Sequence, residues 1–213
     1  DFSYKKDSAE KVLKDINLEI HSGETIGIIG GTGSGKSSVV NLIPRFYDVT
    51  KGQVLVNGTD VRAQSLSKLR GQIGVVPQKA VLFKGTIRDN MRWGKADASD
   101  EEIWEALEIA QAKEVAEKKG QGLEFMIDQG GRNLSGGQRQ RLTIARALVR
   151  RPEILIMDDS ASALDFATDA RLRRAIREKT GDMTVFIVSQ RVSAIQSADC
   201  ILVLDDGHLA GMG

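Results

Sequence analysis

Lys36, Ser37 and two adjacent aspartates are the residues of this 213-residue chain whose types and spacing suggest chemistry. Residues 30–37 read GGTGSGKS, which fits G-x-x-x-x-G-K-[ST]. Gly30, Gly33 and Gly35 let the backbone curl until its N–H groups converge on phosphate oxygens. A helix opening at that point adds the positive end of its dipole. Lys36 would bring a full charge to the terminal phosphates, and Ser37 would hold Mg²⁺. A glycine-rich turn with a solvated lysine is the bland alternative. The flanks argue against it, because TIGIIG before the loop reads as a strand and SSVVNLIPRF after it as a helix.

The second cluster lies in ILIMDDSASALD, residues 154–165. Four apolar residues lead into Asp158 and Asp159, so Asp158 should end a buried strand. A carboxylate there takes a Mg²⁺ water, the second half of a phosphate-loop site. Alone it could equally be a turn acid or a helix cap; beside residues 30–37 it reads as a metal ligand.

These groups need a scaffold. ETIGIIG, GQVLVNG, IGVVP, EILIMDD, TVFIVS and CILVLDDG read as strands, several of them apolar enough to be buried on both faces. Helical stretches alternate with them, which predicts an α/β domain with a largely parallel sheet. VLDDGHLAG carries Asp206-Gly207 at its centre and reads as a hairpin. From about residue 86 to 149 the pattern is helical and more polar. Ser99 followed by Glu102 predicts a capping box, with Ile103, Ala106, Leu107 and Ala110 as the apolar stripe of a helix over residues 99–119. The predicted layout is a core formed by residues 1–85 and 150–213 and a helical subdomain at about 86–149.

Hydrophobic residues at 41% and charged residues at 28% are ordinary for a globular chain, and 30 basic against 29 acidic residues leave a net charge of +1. That balance argues against a dedicated nucleic-acid binder. Cys200 is the sole cysteine, so no internal disulfide can form; in the run CILVL it reads as core packing in a cytosolic chain. No apolar run approaches the ~20 residues that span a bilayer, and no signal-peptide pattern is present. Both ends read as cuts from something longer.

Leu134, Ser135, Gly136, Gly137 and Gln138 read LSGGQ and lead into the basic amphipathic segment RQRLTIARAL. Ser135 would cap a helix whose first N–H groups Gly136 and Gly137 expose, making a second anion site. This run resembles the signature motif of ATP-binding cassette (ABC) proteins, and the resemblance extends over essentially the whole chain. It implies an α/β fold: a P-loop NTPase (RecA-like) core with an antiparallel β subdomain and an inserted α-helical signature subdomain. It implies ATP and Mg²⁺ as ligands. Tyr4 matches the aromatic that stacks on adenine, and the ATP-binding set becomes Tyr4, Gly30, Thr32, Gly33, Ser34, Gly35, Lys36, Ser37 and Ser38. Ser37, Gln78 and Asp158 would serve the metal; Asp159, Gln190 and Gln78 would be catalytic. Ser162, Ala163, Leu164 and Asp165 match the loop that crosses the dimer interface. FMIDQ before the signature looks like the exporter type, and multidrug and lipid exporters fit best. The resemblance further implies a head-to-tail dimer with a second such domain, each phosphate loop closed by the other's signature. It also implies a transmembrane domain docked through a coupling helix, with residues 81–83 at the groove or in the core, and a place on the cytoplasmic face of a membrane.

Two residues depart from the pattern. The family usually has glutamate where this chain has Asp159, a carboxylate withdrawn by roughly 1–1.5 Å. Displacement near 1 Å can cost ~10²-fold in rate. The family's histidine after the strand TVFIVS is Gln190 here, and neither His21 nor His208 lies at that position. Glutamine donates a hydrogen bond but carries no charge. Together these predict a slow or regulatory site whose intact signature serves a partner, as in one half of a heterodimeric exporter. A self-sufficient homodimeric transporter ATPase is the alternative, followed by a pure ATP-dependent clamp. A soluble ABC ATPase of DNA repair is disfavoured because no sustained heptads separate the two motifs.

Overall fold

The computed structural model describes residues 1–5, 10–117, 120–160 and 162–213. Its strands are β1 (Thr25–Gly30), β2 (Leu55–Val56), β3 (Thr59–Asp60), β4 (Ile73–Val76), β5 (Gly85–Thr86), β6 (Met126–Ile127), β7 (Ile154–Asp158), β8 (Thr184–Val188), β9 (Cys200–Asp205) and β10 (His208–Met212). The helices are α1 (Lys36–Leu42), α2 (Leu66–Gly71), α3 (Ile87–Arg92), α4 (Asp100–Ile109), α5 (Lys113–Glu117), α6 (Gly136–Leu148), α7 (Phe166–Lys179) and α8 (Val192–Ile195).

The central sheet runs β10-β9-β1-β8-β7-β4. All of its pairings are parallel except β9 with β10, which is antiparallel. Side chains alternate across it. Ile156, Phe186 and Val188 join Ile26, Ile28 and Val40 of α1 in one buried cluster. Leu155, Met157, Val185 and Ile187 join Leu107, Leu142 and Leu172 of α4, α6 and α7 in another. Both faces are covered, which is why these strands read as continuous apolar runs; all five residues of β8 are buried. Each such Val, Ile or Phe contributes about 1.5–3 kcal/mol by leaving water. The sheet therefore holds α1 on one face and α4, α6 and α7 on the other.

Several elements differ from the sequence reading in ways the chain explains. SSVVNLIPRF is helical only to Leu42: Ile43 keeps helical angles, but Pro44 has no N–H to extend the hydrogen-bond ladder and Arg45 turns left-handed at φ 54°. GQVLVNG forms only the two-residue β2, since Asn57 (φ 51°) and Gly58 (φ 71°) turn the chain straight back into β3. The helix predicted over 99–119 keeps its capping box and its buried stripe but ends after Ile109. Gln111 adopts φ 57°, and Ala112 N–H reaches back to Leu107 O at 2.7 Å, a left-handed C-terminal cap built without glycine. Residues 118–119 of that prediction lie outside the described residues. β5 and β6 pair within the helical region; two-residue strands leave no periodicity to read. The Asp206-Gly207 hairpin forms as predicted, with φ 42° and 77°.

Candidate functional site

Parallel pairing sets the ends of β1, β7 and β8 side by side, and the predicted chemistry gathers along that edge. The phosphate loop leaves β1 at Gly30, where a Cβ would lie 2.2 Å from Leu204 O and 2.6 Å from Ser34 Oγ. Gly35 sits at φ 97°, and a Cβ there would meet Leu13 Cδ2 at 2.6 Å. Gly31, Thr32 and Gly33 are exposed, while Ser34 and Ser38 are buried. Side-chain caps open α2, α3, α4, α6 and α7, from Ser65, Thr86, Ser99, Ser135 and Asp165. α1 opens on Gly35, which offers none. The first N–H groups of α1 are thus left for another acceptor. Lys36 Nζ donates to Gly30 O at 2.8 Å and Gly31 O at 2.6 Å, so the ammonium lies across the loop.

Ser37 Oγ donates to Asp158 Oδ1 at 2.9 Å, joining the loop to the end of β7. Burial, assisted by the charge of Asp159, pushes the Asp158 carboxyl above its ordinary range against the pull of the Ser37 hydrogen bond and Lys36. A hydroxyl and a carboxylate at this spacing are hard oxygen donors that suit Mg²⁺. Among the described residues no cluster of three His, Cys, Asp or Glu could hold a metal by itself. A cation here must complete its shell with phosphate and water, as Mg²⁺ commonly does.

Asp159 takes the left-handed conformation, φ 45°. Its N–H bonds Val188 O at 2.9 Å, fixing it beside the end of β8. Gln78 Nε2 donates to Asp159 Oδ2 at 3.2 Å, so the glutamine meets the second aspartate rather than the Ser37–Asp158 pair. Gln190 is exposed and follows Ser189, whose N–H bonds Ile28 O at 3.1 Å. Ser162 Oγ donates to Asp159 O at 2.9 Å, Leu164 is buried, and Asp165 caps α7 through Thr168 N–H. Tyr4 is 54% exposed and its hydroxyl pairs with Ser38 Oγ at 2.9 Å, placing the ring beside α1. Phe2 and Tyr47 hold it edge-on, with centroids 4.8 and 5.0 Å away.

The LSGGQ run sits elsewhere. Leu134 is buried, and Ser135 and Gln138 form a reciprocal capping box at the start of α6. That box satisfies the N–H groups of Ser135 and Gln138; those of Gly136 and Gly137 belong to the first turn, where no intrahelical acceptor exists. α6 packs on β4, α3 and α4, whereas α1 packs on β1, β7 and β8. The two candidate anion sites are carried by helices on opposite faces of the sheet.

Residues 13–162 match the family described as ABC transporter. The chain belongs to the ABC transporter family. An uncharacterized ABC transporter ATP-binding protein of Mycobacterium tuberculosis is 48% identical over 205 residues, 95% of this chain and 35% of the relative. A Bacillus subtilis protein provisionally named a multidrug export ATP-binding/permease protein is 43% identical over 212 residues, 100% of this chain and 36% of the relative. The solved structure of a bacterial Atm1-family ABC exporter with ATP bound superimposes with a TM-score of 0.93 at 36% identity, covering 100% of this chain and 37% of that one. This ABC chain thus spans about a third of the length of the proteins it matches. Its fold is the α/β P-loop NTPase core expected from the motifs.

One feature of this ABC domain escaped the sequence, and one left open there is divided by the structure. Arg191 contacts the loop after Asp159 through backbone carbonyls, which no side-chain pattern reveals. Residues 81–83 divide their roles: Leu82 is core, while Val81 and Phe83 are exposed and Phe83 packs on Trp93 at 4.7 Å.

Proposed function

We propose that this chain is the nucleotide-binding ATPase unit of a membrane exporter, binding MgATP and driving export through a transmembrane domain that lies outside residues 1–213. One observation carries the reading: the uncapped glycine loop with Lys36 folded across it, bonded through Ser37 to Asp158 at the edge of a parallel sheet. Loop amides and Lys36 would hold the phosphates; Thr32, Ser34 and Ser38 line the same turn, and Tyr4 would stack on the base. Ser37 and Asp158 would hold Mg²⁺, with Gln78 at its edge, and the ion would neutralise charge on the transferring phosphoryl group. Residues 1–85 and 150–213 would form the nucleotide core and residues 86–149 the signature subdomain.

The catalytic corner supports a slow or regulatory site. Asp159 reaches it with the shorter carboxylate, already engaged by Gln78, and Gln190 brings no charge. The signature has all of its residues and lies on the sheet face opposite α1, which favours its serving a second domain head to tail. We read the assembly as a heterodimer in which residues 134–138 act at the partner's site and Ser162, Ala163, Leu164 and Asp165 cross the interface. The exposed Phe83–Trp93 pair would receive the coupling helix. The competing reading is a homodimer with Asp159 as an adequate base.

The test is steady-state hydrolysis and MgATP binding by the full-length protein alone, beside the double change Asp159→Glu with Gln190→His. Binding with little turnover, and turnover restored by the double change, is the expected result. Brisk turnover by the unaltered protein without a partner would overturn the asymmetric reading. Failure to bind MgATP would overturn the whole proposal.

A further inference from the structure

Arg191 follows Gln190 directly and stands outside both the phosphate loop and the signature. Its Nη2 donates to Ser162 O at 3.0 Å and its Nη1 to Leu164 O at 3.3 Å. The guanidinium carbon lies 5.5 Å from the centroid of the Phe166 ring. One side chain from the segment after β8 thus grips the 162–165 loop at two carbonyls and rests on the residue that opens α7.

The base of this grip is fixed. Arg191 N–H donates to Ser189 Oγ at 3.0 Å. Arg173 of α7 ties down the start of α8 through Ser193 O and Ala194 O at 2.8 and 2.9 Å. Arg173 is itself held by the buried carboxylate of Asp169 at 2.9 Å. The far side of the gripped loop touches both functional regions. Ser162 bonds the backbone of Asp159, and Gly137 packs so closely that a Cβ there would lie 3.3 Å from Ala163 O and 3.7 Å from Leu164 Cδ2.

We infer that Arg191 is a positioning residue that locks the 162–165 loop, so that the segment carrying Gln190, the Asp159 backbone and the first turn of α6 keep one mutual register. It acts through the loop and not on nucleotide. The planar fork is what the task requires: two divergent carbonyls need two donors held at a fixed angle while the flat face lies on a ring. A lysine ammonium would reach one carbonyl as a point charge. This role deepens the ATPase proposal and rests on it.

The experiment compares Arg191→Ala and Arg191→Lys with the unaltered full-length protein, by amide exchange and by MgATP kinetics. In Arg191→Ala, exchange across residues 162–168 should quicken by about tenfold or more, as two charge-assisted bonds are lost. Exchange in β8 and in α7 beyond Asp169 should stay unchanged. The kcat of the assembled transporter should fall by up to about 10²-fold, the scale of a 1 Å misplacement, with KM for ATP within about twofold. Arg191→Lys should recover only part of both losses. The inference is overturned if Arg191→Ala keeps wild-type exchange and kcat, if only KM rises, or if lysine restores both losses fully. Should the alanine variant not fold, Arg191→Lys and Phe166→Leu carry the same exchange comparison. If the unaltered protein binds no ATP, the ATPase reading fails, while the exchange difference still decides whether Arg191 holds the loop.

Discussion

Gly35 combines two constraints that no other residue type meets: a positive φ and a neighbour, Leu13, in the space a Cβ would fill. Gly35→Ala should therefore destabilise the fold by more than about 1 kcal/mol and weaken MgATP binding, read by urea denaturation and by calorimetric titration. Asp159 is the opposite case, a non-glycine residue at φ 45° that its short polar side chain tolerates. Asp159→Glu should lose up to about 1 kcal/mol of stability even where it raises turnover, so the two readouts should move in opposite directions. The Ser37–Asp158 bond predicts a metal-specific defect. Ser37→Ala should lower ATP affinity measured with Mg²⁺ severalfold more than affinity measured with EDTA. Equal losses under both conditions would remove Ser37 from the metal site. The types and spacing of residues 30–37 and the end of β7 made this cluster legible in the sequence. Arg191 was not legible, because carbonyl partners carry no residue identity, and neither was the Gln78–Asp159 contact, which joins positions 81 apart in the chain.

At the scale of elements, the helices are defined by their first turns. Ser99, Ser135 and Asp165 all cap as side chains, and the first two complete capping boxes. Ser135→Ala should cost about 1 kcal/mol and fray the start of α6, seen as faster amide exchange there. Asp165 adds a pH dependence. Its hydrogen bonds from Thr168 hold the carboxyl below the ordinary aspartate range. A depressed folded-state pKa contributes stability that is present above the unfolded value and is lost as pH falls through the folded one. Asp165→Asn keeps an acceptor without titrating, so its stability should fall less steeply than the wild type's on acidification from neutral pH into the aspartate range, measured as Tm against pH. The starts of these helices were legible because caps are local. Their ends were not: α1 stops ahead of a proline set within a run that otherwise looks helical, and α4 closes on Gln111, a residue type that does not advertise a left-handed cap.

For the whole molecule, the decisive fact is that one sheet separates two apolar clusters. Phe186 and Ile187 are neighbours in β8 and serve different ones. Phe186→Ala should cost about 3–5 kcal/mol and Ile187→Val about 0.5–1.5 kcal/mol, and a double-mutant cycle between Phe186 and Leu142, a residue of α6, should be additive within about 0.5 kcal/mol. A coupling clearly larger than that would mean the clusters respond as one. The parallel sheet was legible from its unbroken apolar strands, whereas the division of faces needed the register.

Asp159 and Gln190 stand beyond the strand ends and belong to neither cluster. Neither side chain contributes to the apolar packing, so an exchange at Gln190, or one at Asp159 that keeps a short polar side chain for its positive φ, meets a weak stability filter. A gene duplicate of such a domain can vary at that corner while remaining a sound building block, since LSGGQ is carried by α6 on the face of the sheet opposite α1.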